Sequence, residues 1–166
     1  HKPLPTGKHV GADLSAHLPS TTAKGAYLRP FKAGDTFSGS AAQARVGDWI
    51  IGNGDVRYAI QGEDRHIGVC PWGGNPIDGS ARRTDGTWSD DEMGEHCLLF
   101  NLGRTLKPVY FEVLADGAAG GPAVLAVTGE DTLLDFINLP SLLSSFPLFG
   151  ADLELPMHPD ADVPLT

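Results

Sequence analysis

The stretch that decides the fold is GDWIIGNGDVRYAIQG, Gly47–Gly62. Trp49 and Ile51 alternate before its centre; Val56, Tyr58 and Ile60 alternate after it. A period of two in β-branched and aromatic residues is the pattern of strands that rest one face on a core. Between the runs stand Asn53 and Gly54, which tolerate the positive φ angles that a tight turn between twisted antiparallel strands requires. The stretch therefore predicts a β-hairpin, with Arg57 and Gln61 turned away from the apolar face.

The same signals recur on either side of this stretch. A third strand is expected at His66–Cys70, ended by PWGGNPIDGS, whose glycines and prolines break regular structure. Leu98–Leu102 reads as a buried strand, and PVYFEVLADGAAGGPAVLAVTG as a second hairpin. In that hairpin Val109, Phe111 and Val113 share one face, Tyr110, Glu112 and Leu114 the other, and Val124–Val127 returns. Only DTLLDFINL has helical spacing, with Asp131 as its cap and Pro140 as its stop. Residues 1–25 are rich in Pro, Ser, Thr and Gly without sustained period, and read as an extended arm or linker. Several strands at roughly ten-residue spacing with Gly-rich turns predict an all-β, mainly antiparallel, sandwich-like domain over residues 26–166. At most one or two short helices are expected, and no internal repeat is visible. The chain starts at His1 without Met, so either an upstream segment is removed or the start is artificial, and it stops just after an apolar pair, where a longer protein is expected to continue.

At 166 residues, 41% of them hydrophobic, the chain is long enough to bury a core without staples. Its net charge of −9 is unevenly placed. Residues 1–47 carry six Lys and Arg against Asp13 and Asp35, and residues 48–107 six against ten acids; residues 108–166 carry none against nine. An acidic chain without a basic stripe is a poor partner for nucleic acid or an anionic membrane. LLDFINLPSLLSSFPLFG, Leu133–Gly150, holds Asp135 and two prolines, so it is no transmembrane helix.

GDWIIGNGDVRYAIQ, GGNPIDG and LADGAAGGPAVLAVTGED together resemble the amino-terminal β-rich region of large predicted secreted bacterial proteins. In that pattern a short GDxxxxN strand is followed by VRxxIQ, a GGNxID turn, an acidic break and a DGxxGGPAVxxVxG hairpin. Some of those proteins carry a downstream metallohydrolase domain of the polymerase-and-histidinol-phosphatase type. The likeness spans about Gly47–Leu139, and a fainter one links the strand and Gly-Gly turn to carbohydrate-processing supersandwich domains. The resemblance implies an exported, extracytoplasmic protein and a segment of a longer polypeptide. It carries over no hydrolase activity, because the sequence has no His-x-His pair.

Chemistry-bearing residues are few. A free amino-terminal His1 with a second histidine from among His9, His17, His66, His96 and His158 would suit copper, as in secreted copper oxidases. A cloning scar or a processing site accounts for His1 equally. Cys70 and Cys97, both at expected strand ends, fit a disulfide, two buried thiols, or a zinc site with His66 and His96. The acidic break with Asp85, Asp90, Asp91, Glu92 and Glu95 lacks the order of a calcium loop and reads as a solvated surface. Carboxylate pairs such as Asp90 with Glu95, or Glu130 with Asp131, arise by chance in a chain with 21 acids. No Gly-x-Ser-x-Gly elbow is present, and GNGDVR precedes a strand where a phosphate loop needs a helix. Trp72 and Trp88, in loops beside Gly and Asp, are candidates for a sugar-stacking platform. The sequence thus points to a non-catalytic exported binding or assembly module without a cofactor. Its partners are expected to be other subunits or the rest of a longer chain, met through Leu133, Phe136, Leu142, Leu143 and Phe146. The competing readings are a copper protein using His1 and an accessory domain of a metallohydrolase or carbohydrate-processing enzyme.

Overall fold

The computed structural model describes residues 25–63, 65–68, 71–100 and 104–133. Four antiparallel strands form one sheet in sequence order: β1 (Tyr27–Pro30), β2 (Trp49–Gly52), β3 (Val56–Ile60) and β4 (Pro76–Ala81). A second antiparallel sheet holds β5 (Leu99–Phe100), β6 (Arg104–Asp116) and β7 (Ala123–Leu133). Among the described residues there is no helix. The architecture is an all-β, sandwich-like pair of open sheets. They meet where β1 touches β6 and β7 and where the Trp49 and Phe111 rings stack.

The first hairpin forms as expected, with Trp49 opposite Ile60 and Ile51 opposite Tyr58. Its turn differs in detail. The Asn53 N–H donates to the Val56 carbonyl, so Gly54 and Asp55 sit at the bend, and Gly54 is not among the positive-φ glycines. The Asn53 carboxamide oxygen accepts from the N–H groups of Asp55 and Val56 at 2.7 and 2.9 Å, an Asx-type turn that needs no left-handed residue.

Burial also reverses the expected polarity. Tyr58 is 39% exposed, whereas Ile50 and Ala59, which pair with each other on the opposite face, are 1% and 0% exposed. Alternation identified the strands but not the deeper face, because the chain between β1 and β2 folds back over the sheet. Phe37 and Ala44 from that segment pack on the cluster of Ala59, Ile67 and Ile77. A loop that covers a sheet leaves no periodic signature.

Three further expectations change. Pro76–Ala81 is strand β4 despite its proline and glycine, since Pro76 opens the strand and β4 is an edge. No named strand includes His66–Gly68, although Ile67 is buried; Val69 and Cys70 lie outside the described residues. Of the expected strand Leu98–Leu102, Leu99–Phe100 is a strand and Asn101 and Leu102 lie outside the described residues; Leu98 and Leu99 are about half exposed instead of buried. The second hairpin is longer than its motif. Arg104 pairs with Leu133 and Asp116 with Ala123, with irregularities at Pro108/Tyr110 and Val113/Ala115. Asp131 therefore belongs to a strand and pairs with Arg104 (Nε to Oδ1, 2.7 Å) where a helix cap was expected. The rest of the expected helix, like the amino-terminal arm, lies outside the described residues.

Candidate functional site

The polar residues of the quoted motifs serve the frame. Asp48, Asp78 and Asp91 are 1%, 0% and 3% exposed. Each carboxylate accepts backbone N–H groups: Asp48 from Arg45 and Gly62 at 2.8 and 2.9 Å, Asp78 from Gln43 and Ala44, Asp91 from Gly79 and Met93. Asp48 also binds Arg65. Gln61 and Asn75 act alike, with the Gln61 carboxamide donating to the Arg65 carbonyl and Asn75 Nδ2 to the Trp72 carbonyl, both at 2.8 Å. Loops that leave a short sheet must satisfy their buried donors, and a buried side-chain acceptor does so where no strand is available. Burial pushes the Asp78 carboxyl above its ordinary value, against the pull of the Gln43 and Ala44 N–H groups. Asp78's contribution to stability is greatest in acid and declines as pH rises through the carboxylate range. Asp35 is the opposite case: the Arg29 guanidinium at 2.5 Å lowers it to about 2, so this surface pair persists until strongly acidic pH.

The two candidate tryptophans stand at opposite ends of β4 and do not share a platform. Trp72 precedes β4, with the His66 ring edge-on at 4.9 Å and Lys107 Nζ 4.8 Å from its centroid. Trp88 bridges Arg82 beyond the other end, where Arg57 and Arg82 lie 4.6 and 5.4 Å from its ring. Arg57 also covers Phe37 at 4.5 Å and donates to the Thr36 carbonyl at 2.8 Å. Cations occupy these rings. His66 and His96 are exposed, and among the described residues no three His, Cys, Asp or Glu side chains gather as a metal site. His1 lies outside the described residues.

What the fold builds instead is a cleft of about 450 Å³ where the two sheets meet. Trp49 from β2 and Phe111 from β6 form one wall, their rings 13° from parallel with centroids 6.4 Å apart. Arg45 and Glu63 stand exposed at its edge, and neither makes a side-chain hydrogen bond or ion pair with the described residues. Arg65 lines the cleft with its charge already matched by Asp48, and it donates to the Gln43 carbonyl at 3.0 Å. From sequence Trp49 reads as a core residue, and neither Arg45 nor Glu63 stands out. A signal did exist: residues just outside the two ends of a hairpin become neighbours once its register is known, and Phe111 was already on an apolar face.

A second feature lies at the far end of the longer sheet. Phe100, Arg104 and Leu133 form one row across it, and Leu99, Thr105 and Thr132 the next. Leu98 and Leu99, at 52% and 51% exposure, border this end. Of the expected partner residues only Leu133 falls here, at the end of β7; Phe136, Leu142, Leu143 and Phe146 lie outside the described residues. Neighbouring Cys97 is disulfide-bonded, and no described cysteine is free; Cys70 lies outside the described residues.

No protein-family model, curated protein or solved structure matches the chain.

Proposed function

We propose that this chain is a non-catalytic binding or assembly module of an exported protein, held to other subunits or to the remainder of a longer polypeptide. Leu98 and Leu99 carry the reading. They are large apolar side chains left half exposed at the sheet end that includes Leu133, where the apolar sequence Leu133–Gly150 begins. Adjacent exposed leucines at a sheet edge are a mark of association. The use of Asp48 and Asp78 as loop anchors, with both oxygens of each carboxylate engaged, supports a frame over a reaction centre, since a carboxylate satisfied by backbone donors is poorly placed to move protons.

Protein from its native source is expected to give a mass above that of a single chain by size exclusion with light scattering. Leu98→Ser with Leu99→Ser, or joint substitution of Leu142, Leu143 and Phe146 by Ser, should return it to the single-chain mass with an unchanged far-UV spectrum. Assembly that survives both sets of substitutions, or a wild-type protein that runs as one chain, overturns the assembly reading.

An extracytoplasmic site is supported by the oxidised state of Cys97, because disulfides persist in oxidising compartments. With only two cysteines in the sequence, we assign its partner as Cys70. Intact mass should rise by two hydrogens on reduction. A monomer whose mass does not change, or a chain that separates from a covalent dimer on reduction, refutes this pairing.

A further inference from the structure

We propose that the cleft between the sheets binds a neutral saccharide, with Trp49 and Phe111 as the stacking wall and Arg45 and Glu63 as the hydrogen-bonding rim. This assignment rests on reading the chain as a binding module and names what it binds.

Three features select the ligand. The volume of about 450 Å³ falls in the range of small-molecule sites, about 300–1,000 Å³. The wall is aromatic, and the faces of such rings carry negative quadrupole density. They favour a flat apolar surface edged with weakly positive C–H groups, which one face of a pyranose ring presents. The charges in and behind the cleft cancel, Arg65 against Asp48 and Arg45 against Glu63. An anion or cation would therefore meet an opposing charge as well as a matching one. A neutral polyol gains from both: guanidinium N–H groups donate to hydroxyl oxygens, and the carboxylate accepts hydroxyl protons. Arg45 and Glu63 have no side-chain partner among the described residues to surrender on binding.

The site is also held in shape before any ligand arrives. The Asp48 N–H donates to the Arg45 carbonyl at 3.0 Å while the Asp48 carboxylate takes the Arg45 N–H, closing a tight turn beneath the rim. Gly47, at φ +106°, gives that turn its sharpness. On the other side, Gly62, just before Glu63, is bonded to the same carboxylate. One buried aspartate therefore fixes both rim residues relative to the wall, which lowers the ordering cost of binding.

The test uses the full chain with maltose, cellobiose, lactose and N,N′-diacetylchitobiose as probes. Tryptophan fluorescence and amide chemical shifts are followed as each is added to millimolar concentration. At least one disaccharide is expected to move the Trp49 indole resonance and the Phe111 amide. Arg45→Ala and Glu63→Ala should each weaken that binding about tenfold, the loss of one hydrogen bond to a charged group. Both side chains are exposed, so thermal midpoints should not change. Phe111→Ala should abolish binding, and Phe111→Tyr, which keeps the ring, should retain it. No response to any disaccharide, a response that spares Trp49 and Phe111, or one indifferent to Arg45→Ala and Glu63→Ala overturns the assignment. So does a response to tetraglutamate or tetralysine peptides that exceeds the response to every sugar. If sugars fail while the Leu98 and Leu99 substitutions still dissolve the assembly, the saccharide assignment falls and the binding-module reading stands; sugar binding by a chain that never assembles has the converse meaning.

Discussion

Asp48→Ala is expected to cost about 3–5 kcal/mol, the loss that follows when one member of a buried charge pair is removed. The Arg65 guanidinium would be left in a site where its side chain is 10% exposed, without the carboxylate that neutralises it. Two backbone N–H groups, of Arg45 and Gly62, would lose their acceptor in the same step. Arg65→Met is expected to cost less than Asp48→Ala. It removes the cation, but the carboxylate keeps both backbone donors and the methionine stem fills much of the same volume. Asp48→Asn should fall between wild type and alanine, since one carboxamide oxygen still accepts an N–H. Urea unfolding followed by tryptophan fluorescence ranks the three variants. Arg65→Met as damaging as Asp48→Ala would mean that the ion pair, and not the anchoring of two loops, is what Asp48 provides.

That ordering bears on how much the sequence reveals. Period-two alternation found β2, β3, β6 and β7 because pairing strands leave a repeating trace. Local propensity reads Pro76–Ala81 as a break, yet β4 lies there, because edge position and tertiary pairing override propensity. Alternation places Trp49, Ile51 and Tyr58 toward the core, yet Ile50, Ala59 and Asp78 are buried more deeply. The missing information was the path of residues 31–48 over the sheet, fixed by hydrogen bonds from the Gln43 and Ala44 N–H groups to Asp78. Aspartates in GD, ID and DD dipeptides read as turn or surface residues from sequence, and nothing local distinguishes a solvated carboxylate from a buried anchor. The cleft was partly legible for a different reason. Arg45 and Glu63 flank the hairpin, so its register alone brings them close, but Phe111 arrives from another sheet, and no spacing rule encodes that meeting.

Gly62→Ala should destabilise the fold by about 3 kcal/mol, the upper end of ordinary overpacking. A Cβ at Gly62 would run into the carbonyl of Gly47, and a Cβ at Gly73 would run into the carbonyl of Gly62. The backbones of Gly47, Gly62 and Gly73 thus lie against one another with no side chain between them. The obstacle is main chain, which cannot swing aside as a side-chain tip can. Gly62 is not among the positive-φ glycines, so alanine would fit its conformation and the cost is one of space. Gly121→Ala is the control: a Cβ there meets nothing within 4 Å. It should be neutral, or stabilising by about 0.4–1 kcal/mol through the unfolded chain. Because Gly62 donates to Asp48 and precedes Glu63, any backbone shift that relieves the clash must also move one rim of the cleft. Gly62→Ala should therefore weaken disaccharide binding even where the protein remains folded, and Gly121→Ala should leave it unchanged. Equal unfolding midpoints for the two variants would show that the glycine column has room to spare, and that the closeness of Gly47, Gly62 and Gly73 does not constrain the fold.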